Sequence, residues 1–469
     1  MTAPAQIDPR TRTYHTTNPA TGETLATFDY LTDAEAEAKL ALADTAQKQW
    51  EKTPIDERVR LFRAFADIFD TKAEEFAHQV TLEMGKPIAQ SRDEATMVSA
   101  MFRYYADNGP GLLAESRLTI DTAGGPMETV TRKEPLGVVI AIEPWNGPMY
   151  QAMRATAPNL FLGNTVLVKP SEICAGSTLM FDAVFTEAGF PEGLYQTVLA
   201  SVDQISSYIA DPRIRAVTLT GSDRAGAAVG EQAGKHIKPV VLELGGSDAF
   251  IVLPSADISA AAGFAAQCRL ALGGQICVSP KRVILVGKEM AEEFIPVYTG
   301  VFESMVMGDG FDPQVSIGPL SSQAAVDGLQ AQYEDAIAKG ATVLVPGGKQ
   351  DGPGSFFKPS VLTDIPTSAR VYTEEAFGPL GMIYVVDTVE EAIEFANASA
   401  YGLGGSVFGE PQEAFEVASQ LDTGVTGVNT FAGAPIEVGF GGTKRSGVGR
   451  ELGPQGMDAF ANIRSYVLG

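Results

Sequence analysis

From Pro135 onward the sequence settles into short, nearly continuous apolar runs separated by helix-like stretches. The runs are GVVIAI (137–142), TVLVK (165–169), TVLA (197–200), AVTLT (216–220) and VVLEL (240–244), with helical segments such as Ser177–Ala188 and Val202–Ala210 between them. Apolar runs without polar alternation belong to strands covered on both faces, and strands alternating with helices build a parallel sheet. A second series follows with FIVL (250–253), RVILV (282–286), TVLV (342–345) and MIYVV (382–386), spaced by helical stretches at Gln323–Lys339 and Val389–Ser399. The pattern predicts an α/β chain of two units in series, divided near Gly245-Gly246. Ahead of them, residues 31–106 read as helices, with Asp33 and Asp56 as caps and Gly85-Lys86-Pro87 as a stop. Residues 117–133 alternate about Gly124-Gly125-Pro126 and predict a hairpin. The chain end is glycine-rich over 438–453 and then offers a strand at Ile463–Val467.

Composition narrows the function. The 469 residues are 45% hydrophobic and 20% charged, and the formal net charge is −24. Two to four domains with a large core are expected at roughly 100–200 residues each. So negative a surface repels phosphate backbones and anionic lipid, which argues against nucleic-acid and membrane roles. The apolar runs fall far short of the ~18 residues of a membrane span, and the N-terminal MTAPAQIDPRTRTYHTT has no signal-peptide core. Three cysteines, Cys174, Cys268 and Cys277, leave at least one thiol free and fit a reducing cytoplasm. His15, His78 and His236 lack ligand spacing, so a zinc site or a Ser-His-Asp triad is hard to build, and no metal is expected.

Four segments carry the chemistry. Pro144-Trp145-Asn146-Gly147-Pro148 follows a strand, where open α/β sheets bind ligands, and Asn146 supplies an amide donor. Lys169-Pro170-Ser171-Glu172 follows the next strand, where a lysine and an acid suit a nucleotide ribose. Thr220-Gly221-Ser222 enters a helix N-terminus, where backbone N–H groups can hold a phosphate. Glu243 in LELGGSD and Cys277 in GGQICVSPKR complete the set. Taken singly, each has a plain structural explanation: a rigid turn, a solvated ion pair, a helix start, a small buried thiol. Gly273-Gly274 before Cys277 instead suggests a backbone close to a ligand.

In this order the segments resemble those of the NAD(P)-dependent aldehyde dehydrogenase family, most closely its succinate-semialdehyde dehydrogenases. The likeness extends from Asn18-Pro19-Ala20-Thr21-Gly22-Glu23, through Glu374-Glu375-Ala376-Phe377-Gly378-Pro379, to the run Phe440–Glu451. It implies a Rossmann-like cofactor domain (1–116 and 136–244), an α/β catalytic domain (245–445) and a small β oligomerisation arm (117–135 and 455–469). It assigns Cys277 as nucleophile, Asn146 with the Cys277 N–H as oxyanion holders, and Glu243 as general base. Lys169 and Glu172 would meet the adenosine ribose, Gly221 and Ser222 the pyrophosphate, and Glu375, Phe377 and Trp145 the nicotinamide end. Arg154 on the helix after Pro148, with Ser446, would bind a substrate carboxylate.

The resemblance thus implies oxidation of a small carboxylate-bearing aldehyde by NAD, with NADP as the other candidate cofactor, in a cytoplasmic homodimer or homotetramer. Glu172 favours NAD, because it would repel a 2′-phosphate, although Arg224 nearby could offset that repulsion. Lactaldehyde-type or broad aliphatic aldehyde oxidation is the alternative. A CoA-acylating relative is opposed by Glu243, and a catalytically silent one by the retained Cys277, Asn146, Glu243 and Glu375. Two departures stand out: Glu143 sits where a small or apolar residue is expected, and Gly147 replaces an aromatic, which should widen the substrate tunnel. Position 279 is serine, so the family's Cys-x-Cys redox pair is absent.

Overall fold

The computed structural model describes residues 13–468. Residues 1–12, with the N-terminal stretch read above, and residue 469 lie outside the described residues. Two large sheets and one small one organise the chain. The first has six strands in the order Gly447–Val448, Val240–Glu243, Ile214–Thr220, Val138–Ile142, Thr165–Lys169, Tyr195–Thr197. All neighbours run parallel except Gly447–Val448, which closes the Glu243 edge antiparallel.

The second sheet has seven strands: Thr342–Val345, Ser360–Thr363, Leu380–Val386, Pro280–Val286, Asp248–Val252, Gly404–Phe408 and Val425–Val428. It too is parallel apart from its first edge strand. Ser116–Thr122, Gly125–Pro135 and Ala461–Leu468 form the third, antiparallel sheet. This is the expected α/β architecture. Strands at 360–363, 404–408 and 425–428 escape the pattern because they are short, and the last two are rich in glycine. The TVLA run is displaced, its strand being Tyr195–Thr197.

The helical region is three helices, Asp33–Trp50, Ile55–Met84 and Ile88–Leu112. The expected caps shift by one and two positions: Thr32, not Asp33, accepts from Glu35 N in a reciprocal capping box, and Pro54 precedes the second helix. Gly85 ends that helix with φ 85°, as the Gly-Lys-Pro stop implies. An aromatic cluster cements these helices to the first sheet. Phe62, Phe65 and Phe102 pack on Phe161, Phe185 and Phe190, with the Phe65 and Phe102 rings 3.8 Å apart. This packing seats the helix Pro148–Leu162, nearly all of it buried, on one face of the first sheet.

Among the described residues no helix is long and apolar enough to cross a membrane. The small sheet carries exposed Leu118, Ile120, Ile463, Val467 and Leu468.

Candidate active site

Side-chain alternation divides the first sheet into two faces. Val139, Ala141, Ala216 and Val241 share a core with the helix Pro148–Leu162, whereas Val138, Ile140, Leu219 and Leu242 face the opposite core. At the carboxyl ends of three adjacent strands the helix-side row ends in Glu143, Thr220 and Glu243. Thr220 pairs in register with Glu243, and Ile142 with Leu219; the Glu143 N–H continues the ladder to the Lys169 carbonyl. Neighbouring strands lie about 4.8 Å apart, so the row brings two glutamates to within about 10 Å of one another.

Cys277 lies on a loop of unusual backbone. Leu272, Gly273 and Gly274 have φ values of 51°, 63° and 73°. A Cβ at Gly274 would collide with the Gly378 carbonyl, so only glycine lets the loop approach the 374–379 segment. Leu272 tolerates its left-handed state because its N–H donates to Gln90 Oε1 at 3.0 Å. Arg269 then ties the loop down from below, donating to Gly274 O at 3.2 Å, Ser279 Oγ at 2.9 Å and Ala376 O at 2.8 Å. Asn146 donates one amide hydrogen to Gln275 O at 3.0 Å, which puts its amide against the Cys277 loop. Burial pushes the Cys277 thiol up to about 11, against the pull of Lys281 and Arg154.

Glu243 is buried, and neither carboxylate oxygen has a hydrogen-bond partner. Gly441 leaves the space it occupies, since a Cβ there would meet Glu243 Oε1. Desolvation raises its pKa well above the carboxylate range; Glu451 adds to the rise, while Arg154 and Arg450 oppose it. A buried carboxyl with free lone pairs and a raised pKa is what a general base needs.

Arg154 sits in a buried ion pair. Its side chain is 3% exposed, and Nε lies 2.5 Å from Glu451 Oε2, itself 2% exposed. The contact is ionic rather than an aligned hydrogen bond. Nη2 donates to Thr220 Oγ1 at 3.0 Å, and the guanidinium lies between the Tyr150 and Phe440 rings at 5.6 and 5.0 Å. Arg154 is therefore held by an ion pair to Glu451 and a hydrogen bond to Thr220. Glu143 belongs to the same cluster. Burial, then Glu451, raises its pKa, Arg154 opposes the rise, and both its oxygens lack partners. The structure thus places this unexpected residue as a second buried carboxyl in the field of Arg154 and Glu451.

Ser446 is fully buried, donates to Gly245 O at 2.7 Å and accepts from Gly402 N at 3.0 Å, so its hydroxyl joins two backbone segments. Gly147 lies beside Glu94. A Cβ there would lie 3.4 Å from Glu94 Oε1, and that carboxylate holds Tyr150 N at 2.8 Å while paired with buried Lys86. Glu94 is thus the nearest neighbour that a side chain at position 147 would meet.

The expected cofactor groups line the same strand ends. Lys169 is largely buried, and burial lowers its pKa against the opposing field of Glu172. Glu172 accepts from Tyr30 Oη at 2.6 Å. Ser222 caps the helix Asp223–Lys235, accepting from Ala225 N at 3.2 Å, and Gly221 N donates to Glu243 O at 2.9 Å. Glu375 accepts from Gly246 N at 3.2 Å, and a Cβ at Gly245 would collide with it. Trp145 and Phe377 meet edge to face at 5.6 Å. A lysine and a glutamate for ribose hydroxyls, a capped helix N-terminus for phosphate and a glycine cradle under Glu375 fit a nicotinamide dinucleotide.

The aldehyde dehydrogenase family model matches residues 7–466. The chain belongs to the aldehyde dehydrogenase family. A succinate-semialdehyde dehydrogenase [NADP(+)] of Deinococcus radiodurans is 43% identical over 98% of this chain and 96% of its own length. The succinic semialdehyde dehydrogenase of Streptococcus pyogenes, solved with NADP+, superposes with a TM-score of 0.93 at 37% identity, covering 97% and 99% of the two chains. A betaine aldehyde dehydrogenase of Staphylococcus aureus, solved with NAD+, gives 0.92 at 30% identity, covering 98% of this chain and 92% of its own. Aldehyde dehydrogenases oxidise aldehydes to acids. Sequence reasoning passed over Lys281, Arg269, Glu94 and Glu451, which hold this dehydrogenase's loop and helix in place. The adjacent Lys281-Arg282, both buried at the start of a strand, was the one available signal.

Proposed function

We propose that the protein oxidises succinate semialdehyde, or a small aldehyde like it with a carboxylate at the far end, through a thioester on Cys277. The observation that carries the reading is the left-handed loop before Cys277, held to the Asn146 amide through Gln275 O, together with the buried, unpartnered Glu243 at the carboxyl end of the first sheet. Cys277, as thiolate, adds to the aldehyde carbon. The carbonyl electrons move to oxygen, which the second Asn146 amide hydrogen and the Cys277 N–H receive; one such donor is worth about 2.7–4 kcal/mol. A nicotinamide dinucleotide held by Lys169, Glu172, Ser222 and Glu375 would supply the hydride acceptor, and loss of the aldehyde hydrogen as hydride would leave the thioester on Cys277. Glu243 then accepts a proton from water, the resulting oxygen attacks the thioester carbon, and the C–S bond breaks to return the thiolate and the acid.

The carboxylate preference rests on the relatives named above and on the charge of Arg154, whose field reaches Cys277. We further assign NAD as the preferred cofactor, because Glu172, steadied by Tyr30, accepts ribose hydroxyls and repels a 2′-phosphate. The six-, seven- and three-stranded sheets support a cofactor domain (1–116 and 136–244), a catalytic domain (245–445) and an arm (117–135 and 455–469). The exposed apolar residues of the small sheet support its use as a homo-oligomer arm in a cytoplasmic enzyme.

The test is an aldehyde panel with each cofactor, on the wild type and on Cys277→Ala. Turnover of succinate semialdehyde above butanal, lost in Cys277→Ala while cofactor still binds, supports the reading. Residual turnover by Cys277→Ala, or its loss in Cys174→Ala instead, refutes it.

A further inference from the structure

Lys281 opens the strand Pro280–Val286, and its side chain is 0% exposed. Its ammonium donates to Cys277 O at 2.7 Å and Ile276 O at 3.0 Å and forms an ion pair with Glu375 Oε1 at 3.0 Å. The Phe377 ring lies 5.9 Å away. One buried cation thus touches the backbone of the nucleophile loop and the carboxylate assigned to the nicotinamide ribose. The Ile276 carbonyl also belongs to the peptide unit whose N–H is that of Cys277. A cation on that oxygen polarises the peptide and strengthens the N–H as a donor to the oxyanion.

We propose that Lys281 is a positioning residue that couples cofactor binding to the nucleophile: when ribose hydroxyls engage Glu375, Lys281 is released from its counter-charge and favours the Cys277 thiolate. The proposal rests on the reading that Glu375 meets the ribose. In the cofactor-free protein the Glu375 carboxylate neutralises Lys281 locally. Hydroxyl donors arriving on that carboxylate spread its charge and weaken its hold, and in a water-poor site the freed field acts strongly over short distances.

The charged and titratable groups around the thiol are few. Lys281 and Arg154 favour its ionised form; Glu375 and Asp248 oppose it; and Tyr150 faces it from the helix. Asp248 is buried and raised by burial to about 7, with Lys281 the largest opposing influence, so it answers to the same cation. No covalent step is added to the reaction. Lys281 exerts its effect through Cys277 and Glu375.

The test measures alkylation of Cys277 by iodoacetamide against pH, located by peptide mapping, with and without NAD. Cofactor binding is titrated separately. In the wild type NAD should lower the apparent pKa of alkylation by about one unit, a roughly tenfold rise in rate at neutral pH. Lys281→Met should still bind NAD within a few-fold, yet lose that shift, and Lys281→Arg should restore part of it.

Glu375→Gln supplies an independent arm that leaves Lys281 in place. Without cofactor its Cys277 should alkylate about tenfold faster than the wild type, mimicking the bound state. A cofactor-induced shift undiminished in Lys281→Met, or an unchanged rate in Glu375→Gln, overturns the coupling. If Glu375→Gln instead binds NAD as tightly as the wild type, the ribose assignment falls. The cofactor-free difference between Lys281→Met and the wild type then still reads the cation's effect on the thiol.

Discussion

Replacing Arg154 with methionine removes the one cation among the described residues that pairs with Glu451 and leaves Glu143 and Glu243 without their main opposing charge. Both members of the pair are almost wholly enclosed, so water cannot screen the orphaned carboxylate. Breaking one side of such a pair costs about 3–5 kcal/mol, a factor of roughly 150 to 5,000 in the unfolding equilibrium. Arg154→Met/Glu451→Gln replaces the pair with neutral side chains of similar size and should recover much of that loss. The coupling between the two substitutions should then exceed about 1 kcal/mol.

Urea unfolding followed by tryptophan fluorescence reads this directly. The two tryptophans are Trp50 in the helical core and Trp145 beside the site. Kinetics on the same variants separate support from recognition. A charge-assisted hydrogen bond to a substrate carboxylate is worth about 1.5–3 kcal/mol, or roughly 10- to 150-fold. Arg154→Met should therefore lose at least about tenfold more kcat/KM on succinate semialdehyde than on butanal. Glu451→Gln keeps the guanidinium and should lower both aldehydes alike. Additive stability losses would refute the energetic coupling, and equal kinetic losses in Arg154→Met would leave Arg154 purely structural.

Glu243→Gln should give one rapid equivalent of reduced cofactor and then turnover slowed by about 10²–10⁴, seen by rapid mixing. In the wild type the deacylation rate should rise with pH through the raised Glu243 pKa, because only the ionised carboxylate accepts the proton, and the glutamine variant should lose that limb. The same group works the other way on stability: its contribution is full below the unfolded value of about 4.3 and is lost as pH rises through the raised folded value, so urea midpoints of the wild type should fall relative to Glu243→Gln in alkaline buffer. Glu172→Gln should raise kcat/KM for NADP relative to NAD, and an unchanged ratio would place cofactor choice elsewhere. Gly147→Phe should lose activity through displacement of Glu94 and the helix start at Tyr150, whereas Gly147→Phe/Glu94→Ala should regain soluble yield; no recovery in the double variant would show that Glu94 is not the obstacle.

The helix–strand alternation, the edge position of Asn146, Glu172 and Ser222, and the Gly-Gly run before Cys277 were all legible along the chain. Periodicity, turn chemistry and the left-handed backbone that glycine permits act over a few residues, and a linear sequence records them. Membership of the family was legible for the same reason, since its motifs are local. The fates of Arg154, Ser446, Gly147 and Glu143 were decided only in three dimensions. Arg154 meets Glu451, Gly147 meets Glu94, and Ser446 meets Gly245 and Gly402, each from a distant part of the chain. A guanidinium in water and one locked in a dry pair look identical in sequence. What separates them is the cost of burying charge, which is set by whatever neighbour the fold supplies. Lys281 shows the same limit, because an ammonium at a strand start becomes a link between nucleophile and cofactor only when packing brings Glu375 to it.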